Sequence, residues 1–266
     1  TRRGKVGDRD IPLAGFPMRS LDLHLPRLLR KGHKVLLVEQ TQDAKEAKGV
    51  VERAITRIVT PGTITEPGLL QEWRENFVVA VVPPRRKPKA TAPPSRGVQA
   101  TELIGVAWAE LTTGRFELAV LTRADTLREL ARLEPAEVLW PEWLFAEEAE
   151  PEPMVAAAAR LREPSPALTR RPASEFDPVQ GRRRIIEHFA VESLRGFGCD
   201  EADAAWGVAA AGAILGYLRE TQRGRMRHIS GLKRVYAQDA MVLDPATRRA
   251  LELTETLRTR EREGSL

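Results

Sequence analysis

A strand pair followed by a helix and a further strand constrains the fold more than any other part of this sequence. The apolar segments LIGVAWAEL and FELAVL flank a glycine turn at residues 112–115. Alternating apolar residues of the first strand predict one shared face: they are Ile104, Val106 and Trp108. A leucine-spaced helix is predicted at 125–133 and a short strand at 137–140. This order of elements is typical of a crossover unit in an α/β sheet.

The first 71 residues are interpreted as a small mixed α/β unit. Leucines between Leu21 and Leu29 recur at helical spacing, and Lys31-Gly32 supplies a stop signal. The run Val35–Val38 predicts a strand that is covered on both faces. A second strand is predicted at 55–59 and is closed by Pro61-Gly62.

The last third of the chain is predicted to be helical. One helix is expected at 182–189, and a long alanine-rich helix at 200–222. We interpret the long helix as a buried element whose small residues let a neighbour pack closely. Its apolar side is expected to comprise Trp206, Ile214, Leu215 and Leu218. Asp244 as N-cap and Pro245 at the first helical position predict one more helix.

Charge and aromatic content limit the possible partners. The net charge is +5 and aromatic residues make up 5% of the chain, which disfavours a stacking surface for single-stranded nucleic acid. Basic clusters lie at 85–96, 182–184 and 223–227, and each is interpreted as a solvated loop or helix end. The Pro-rich segment 83–97 predicts an exposed loop.

The single cysteine, Cys199, excludes an internal disulfide framework and favours a reducing, cytoplasmic setting. No apolar run approaches the roughly 20 residues of a membrane helix, so no membrane partner is expected. The first residues contain neither an initiator Met nor a signal-peptide pattern, and the last residues contain no capping signal. We therefore expect that both ends are cut.

Motifs for catalysis are absent from the sequence. It contains no phosphate-binding glycine loop and no nucleophile elbow, and its 4 histidines are far apart. We predict no catalytic and no metal-binding residues. One alternative is a metal-dependent nuclease of the ribonuclease-H type with Glu110 as a ligand, for which Glu117, Asp125 and Glu137 would have to converge. The simpler interpretation of Glu110 is an exposed strand carboxylate.

Several segments resemble one known family. In chain order they are IPLAGFP, VLLVEQ, KGVVERAITRIVTPGT, GVAWAELTTGRFEL, AAGAILGYLRETQ and MVLDPATRRALELTETLR. Each is similar to a segment of the MutS DNA mismatch-repair proteins, in the family's order. The chain departs from the family pattern at Met18-Arg19, where Tyr-His is common, in the length of the 83–97 segment, and at Glu110, where the family has Asp.

The resemblance implies an α/β protein of three parts. Residues 1–71 would belong to a mismatch-binding domain without its N-terminal part, and 72–238 to a ribonuclease-H-like connector domain. Residues 239–266 would begin an α-helical core or lever domain. The family's Phe-x-Glu wedge is expected before Thr1, and the ATPase domain beyond Leu266.

The resemblance also implies function. The intact protein would be a homodimer that binds double-stranded DNA with mispairs, uses ATP and Mg to become a sliding clamp, and recruits MutL. This chain alone is expected to hold no cofactor and to have no ATPase activity. Matched positions suggest Arg57 and Arg53 as phosphate contacts and Leu13 near the minor groove. Glu39, Gln40, Gly49, Pro61 and Gly62 also match, and we interpret them as structural.

A second alternative is a paralogue of the same family that acts in recombination control. A Phe-x-Glu motif upstream of Thr1 would favour mismatch repair over this alternative.

Overall fold

The computed structural model describes residues 2–6, 9–12, 16–42, 51–65, 75–83, 103–145, 153–160, 165–223, 226, 228–236, 247 and 250–251. Leu13, Gly49, Arg225 and Arg227 lie outside these residues, as does the basic segment beyond Pro83. The predicted C-terminal helix falls mostly outside them as well. Within it, Thr247 and Ala250 are helical, and the Leu251 N–H donates to the Thr247 carbonyl at 2.9 Å.

In its described residues, the first unit consists of two separate antiparallel strand pairs and one α-helix. Strands β1 (Arg2–Val6) and β2 (Arg9–Pro12) pair with each other. Helix α1 (Leu21–Arg30) follows and is succeeded by β3 (Val35–Gln40) and β4 (Arg53–Val59), which pair antiparallel.

Helix α1 covers one face of the β3–β4 pair. Leu25 and Leu29 pack with Val59 and Ile64 in a small core. The helix ends as predicted at Lys31-Gly32, where Gly32 has φ +77°.

The prediction that residues 35–38 are covered on both faces was wrong. Leu36 is 51% exposed and Val38 is 47% exposed. In the described part of the first unit, α1 lies on one face of this pair only. The other face therefore stays open, although every residue of the run is apolar.

The second unit is a sheet of six strands with helices on both faces. Its elements are β5 (Phe77–Val82), β6 (Ile104–Glu110), β7 (Arg115–Leu121), α2 (Arg123–Leu133), β8 (Glu137–Pro141), α3 (Pro153–Ala158), β9 (Ala167–Arg171), α4 (Pro178–Phe189), α5 (Ala205–Gln222) and β10 (Lys233–Arg234).

The strand order of this sheet is β10-β7-β6-β5-β8-β9. Strands β5, β6 and β7 are antiparallel neighbours, while β8 runs parallel to β5 and β9 parallel to β8. Helix α2 is the crossover that carries the chain from β7 past β6 and β5 to β8. The α/β class is confirmed, and three antiparallel strands followed by two parallel ones agree with a ribonuclease-H-like arrangement.

Two hydrophobic cores lie on opposite faces of this sheet. Ile104, Val106 and Trp108 share one core with residues of α2 and α3, as their alternation predicted. Ala107 and Ala109, between them in sequence, face the other core, which is built mainly on α4 and α5. The hairpin strand is therefore buried on both sides, which is typical of a central strand.

The helices α4 and α5 begin at positions that differ from those predicted. Helix α4 begins earlier because the Asp177 side chain caps it by accepting from the Gln180 N–H at 2.8 Å. Helix α5 begins later, after a 3₁₀ turn at Ala202–Ala204. It is a buried helix, as predicted, but Trp206 is 36% exposed and does not belong to its buried side.

Among the residues that the structure describes, no helix is both long and apolar enough to cross a membrane.

Candidate functional site

The turn that follows β4 is a compact, self-capped structure. A 3₁₀ turn, Pro61–Thr63, begins after Thr60. The Thr60 N–H donates to Thr63 Oγ1 at 3.0 Å, and the two hydroxyl oxygens lie 2.8 Å apart. Proline at the first position suits this turn because its missing N–H is not needed there. We refer to residues 60–63 as the TPGT turn.

Glu137, the first residue of β8, lies directly beneath this turn and is fully buried. Its Oε2 accepts from the Thr60 hydroxyl at 2.6 Å and from the Gly62 N–H at 3.1 Å. Its Oε1 accepts from the hydroxyls of Thr169 and Tyr217, each at 2.6 Å. Four donors around one carboxyl group suit a carboxylate, which only accepts hydrogen bonds.

Side chains from the second unit also bind the carbonyl groups of the TPGT turn. Asn76 Nδ2 donates to the Pro61 carbonyl at 2.9 Å, and Gln222 Nε2 donates to the Thr63 carbonyl at 3.4 Å. Both the carboxylate and these amides hold the turn, so it is bound through its donors and its acceptors.

Tyr217 on α5 forms a second contact between the units. Lys34, just before β3, lies 5.4 Å from the centre of the Tyr217 ring, and Arg171 lies 5.2 Å from it. Burial, together with the neighbouring Glu137 carboxylate, raises the pKa of Tyr217 well above its usual value. The phenol therefore remains a hydrogen-bond donor to Glu137.

A β-bulge separates Arg53 from Arg57, the two predicted phosphate contacts. Leu37 pairs with Arg57, whereas the next residue, Val38, pairs with Ile55, so Thr56 is the extra residue of β4. Paired residues share a face of a sheet, and the bulge therefore reverses which residues of β4 point to each face. Arg57 falls on the face that α1 covers, and exposed Arg53 falls on the opposite face.

Arg57 is half-buried and contacts the TPGT turn. Its Nη2 donates to the Thr63 carbonyl at 2.8 Å, on the same oxygen that Gln222 approaches. Its structural role is to connect β4 to the turn, and its contact with DNA stays a prediction. The third candidate, Leu13, lies outside the described residues.

The close approach of the turn to the sheet requires glycine at position 62. A Cβ atom there would lie 2.8 Å from Glu137 Cβ and 3.0 Å from Val78 Cβ. The structural interpretation of Pro61 and Gly62 agrees with this packing. Glu39 and Gln40 lie at the exposed end of β3.

The prediction that Glu110 is an exposed strand carboxylate was wrong. It is buried and binds the hairpin turn that follows β6. Its two oxygens accept from the backbone N–H and the hydroxyl of both Thr112 and Thr113, at 2.7 to 3.0 Å. Burial alone would raise the pKa of Glu110, but these hydrogen bonds outweigh it and lower the pKa below its usual value.

The other carboxylates of the nuclease hypothesis are also occupied by protein donors. Glu117 accepts from Trp108 Nε1 at 2.7 Å and from Arg115 Nε at 2.8 Å. Asp125 accepts from the hydroxyl of Thr122, the N-cap of α2, at 2.6 Å. Within the described residues, no three metal-ligating side chains form a cluster. Nothing in this geometry favours the nuclease hypothesis.

The arginine cluster at 182–184 also contacts partners within the second unit. Arg182 forms an ion pair with Asp200, and Arg183 pairs with Glu187 at 3.2 Å. Arg184 donates to the carbonyls of Glu175 and Gly212 at 3.3 and 3.2 Å. The interpretation of this cluster as a solvated loop or helix end was therefore wrong, because it lies within α4 and its arginines are paired with groups of the same unit.

Comparison with known families identifies the two units. The family model for MutS domain I matches residues 1–67, and the model for MutS domain II matches residues 76–230. The chain belongs to the MutS family. The TPGT turn thus lies near the end of the domain I match, and Glu137 lies within the domain II match.

Two curated relatives support this MutS assignment. DNA mismatch repair protein MutS of Symbiobacterium thermophilum is 39% identical over 96% of this chain and 27% of its own length. DNA mismatch repair protein MutS of Rhodopirellula baltica is 39% identical over 100% of this chain and 29% of its own length. The chain therefore spans less than a third of either relative.

Sequence reasoning missed the residues that bind the TPGT turn, namely Asn76, Glu137 and Gln222. It also missed Thr169 and Tyr217, which hold the Glu137 carboxylate. Glu137 was considered only as a metal ligand. One signal was available, since an acid at the first position of an otherwise apolar strand must find donors if it is buried.

Proposed function

We propose that this MutS-family chain positions mispaired duplex DNA in mismatch repair and links the DNA-binding unit to the connector. One observation carries the proposal. Matches to MutS domains I and II follow each other along the chain, within relatives that are named DNA mismatch repair proteins.

The wider activity of the complete protein is part of the same proposal. We propose a cytoplasmic homodimer that binds ATP with Mg, becomes a sliding clamp on DNA and recruits MutL. The nucleotide and its metal are proposed to bind outside this chain, which would hold no cofactor itself.

Within the first unit, we propose that Arg53 and Arg57 contact DNA phosphates and that Leu13 lies along the minor groove near the mispair. Arg53 is exposed on the open face of the β3–β4 pair, and this exposure supports a direct contact. Arg57 contributes a positive charge next to the TPGT turn while it holds the Thr63 carbonyl. Phosphate contacts of this kind fix orientation on the duplex without reading sequence.

Salt dependence of binding tests the Arg53 contact. The affinity of the complete protein for a duplex with a G·T mispair is measured by fluorescence anisotropy over a range of salt concentrations. We expect Arg53→Ala to weaken binding and to reduce the slope of log K against log salt by about 0.9, the value for one phosphate contact. Arg183→Ala is the control, because Arg183 is an exposed arginine that pairs with Glu187 on α4.

An unchanged slope in Arg53→Ala would remove that contact from the proposal. Equal affinity of the wild-type protein for mispaired and fully paired duplexes would argue against mismatch recognition and would favour the paralogue in recombination control.

A further inference from the structure

We propose that Glu137 is a positioning residue that holds the mismatch-binding unit at one orientation on the connector. It does so by fixing the TPGT turn, and with it β4 and Arg57, to the sheet and to α5. A rotation of the DNA-binding unit would then displace α5 as well, rather than only changing the conformation of the turn. The orientation itself does not depend on DNA, and only its consequence for DNA binding rests on the proposed function.

The hydrogen bonds of Glu137 divide evenly between the two units. Its Oε2 binds Thr60 and Gly62 of the TPGT turn, and its Oε1 binds Thr169 of β9 and Tyr217 of α5. None of these four partners is charged, so the hydrogen bonds to the buried carboxyl group come from three hydroxyl groups and one backbone N–H. Such a group is costly to bury unless all its donors are in place. The carboxylate therefore favours the one arrangement in which turn, strand and helix meet.

The hydrogen-bond chain extends from Glu137 into the first unit. Thr63 Oγ1 accepts from the Thr60 N–H, so its own proton is available for the Thr60 hydroxyl, which in turn donates to Glu137. The Thr63 carbonyl then accepts from Arg57 on β4. This series of hydrogen bonds, from Arg57 through Thr63 and Thr60 to Glu137, holds β4 in a fixed orientation on the connector sheet.

Close packing leaves the turn little freedom to rotate. The Cβ position of Gly62 lies within 3.0 Å of side chains on both β5 and β8. Lys34 of the first unit adds a separate contact on the Tyr217 ring of α5. Without the Glu137 carboxylate, these contacts remain, but the donors of the turn lose their common acceptor.

Inter-unit distances measured by electron spin resonance test this inference directly. Spin labels are attached to Leu23→Cys on α1 and Val179→Cys on α4, both of which replace exposed residues. Cys199 can stay, because it is buried and burial raises the pKa of its thiol to about 11, which slows labelling. In the 266-residue chain, we expect one narrow distance peak for wild type and its loss in Glu137→Ala.

The conservative variant Glu137→Gln should restore the narrow peak. Its amide oxygen can accept from Thr60 and Gly62, while its NH₂ group donates to the hydroxyls of Thr169 and Tyr217, which can reverse their roles. Glu117→Ala is the matched control, because Glu117 is a buried carboxylate of the same sheet whose donors, Trp108 and Arg115, both belong to the second unit. A narrow peak in Glu137→Ala, or equal broadening in Glu117→Ala, would overturn the proposal.

Two threonine variants keep the test decisive if Glu137→Ala does not fold. Thr60→Val and Thr169→Val each remove one hydroxyl donor at 2.6 Å from the same carboxylate. The first acts on the turn and the second acts within the connector. We expect the distance distribution to broaden only in Thr60→Val. Broadening in neither variant would contradict an orienting role.

DNA binding of the complete protein separates this inference from the proposed function. If wild type does not bind mispaired duplexes, the proposed function fails, while the distance measurements still decide the role of Glu137. If wild type binds and Glu137→Ala keeps the narrow peak, the inference fails and the proposed function stands.

Discussion

At the scale of single residues, two buried carboxylates show how this chain uses acids as structural acceptors. Glu110 holds a hairpin turn with hydrogen bonds from Thr112 and Thr113, and Glu137 holds the TPGT turn against the sheet. Both take hydroxyl and backbone N–H donors, so neither needs a metal ion to be buried. Glu110 takes its donors from the turn that directly follows it in the chain, whereas the donors to Glu137 come from distant segments.

The two threonines of the hairpin turn should make stability depend on pH. The pKa of Glu110 is lowered in the folded protein, so this stabilisation is present above about pH 4.5 and is lost as the pH falls through the folded pKa. We expect the double change Thr112→Val and Thr113→Val to lower the free energy of unfolding by about 2 kcal/mol at neutral pH. The difference from wild type should shrink near pH 4.

Urea unfolding followed by circular dichroism at neutral pH and near pH 4 measures this effect. The double change to serine is the control, because serine keeps both hydroxyl donors and should stay close to wild type. An equal loss of unfolding free energy at both pH values would contradict the inference that the two threonines act by binding the Glu110 carboxylate.

At the scale of elements, the packing of α4 on α5 depends on glycine at the crossing. A Cβ atom at Gly212 would lie 2.2 Å from the Cα atom of Gly181, and a backbone atom cannot rotate away. One helical turn later, a Cβ atom at Gly216 would meet the Nη1 atom of Arg184 at 3.0 Å, the far end of a flexible side chain. The two glycines of the same helix therefore differ in what surrounds them.

We expect Gly212→Ala to lower the free energy of unfolding by about 3 kcal/mol or more, since overpacking against backbone forces the helices apart. Gly216→Ala should stay within about 1 kcal/mol of wild type, because better helix propensity offsets the displacement of Arg184. Thermal and urea unfolding of both variants compares them directly. An equal loss of unfolding free energy in both variants would show that the two helices can move apart at little expense and that the contact at Gly181 is not decisive.

At the scale of the whole molecule, the two units differ in how well their strands are protected. All residues of β5 and β6 are buried between two cores, whereas most of β3 and the first half of β4 are exposed. Local stability follows burial, so the first unit should open without the second. The TPGT turn is the point at which the less protected unit is held by the more protected one.

Hydrogen exchange followed by mass spectrometry should show this difference. We expect the amides of β5, β6 and β8 to exchange only through global unfolding, and those of β3 and β4 to exchange faster through local opening. Glu137→Ala should accelerate exchange in β4 while β6 remains protected. Exchange at one common rate in all these strands would mean that the chain opens as a single cooperative unit.

Local patterns predicted most elements of the fold. Alternation identified one buried face of β6, and leucine spacing identified α1 and α2, because those signals arise within a few neighbouring residues. The start of α4 was predicted too late, although the Asp177-Pro178 cap was present in the sequence. The segments that resemble MutS segments also identified the family, because they occur in the same order along this chain as in the family.

Contacts between distant parts of the chain could not be predicted in this way. The sequence by itself determined the α/β class, the crossover from the β6–β7 hairpin through α2 to β8, and the family. Only the tertiary structure brought Glu137 beneath Thr60 and Gly62, 77 and 75 residues earlier in the chain. Only the structure showed the bulge at Thr56, which turns Arg57 away from the face of Arg53. The physical reason is that a buried carboxylate and a strand register depend on partners that local periodicity does not specify.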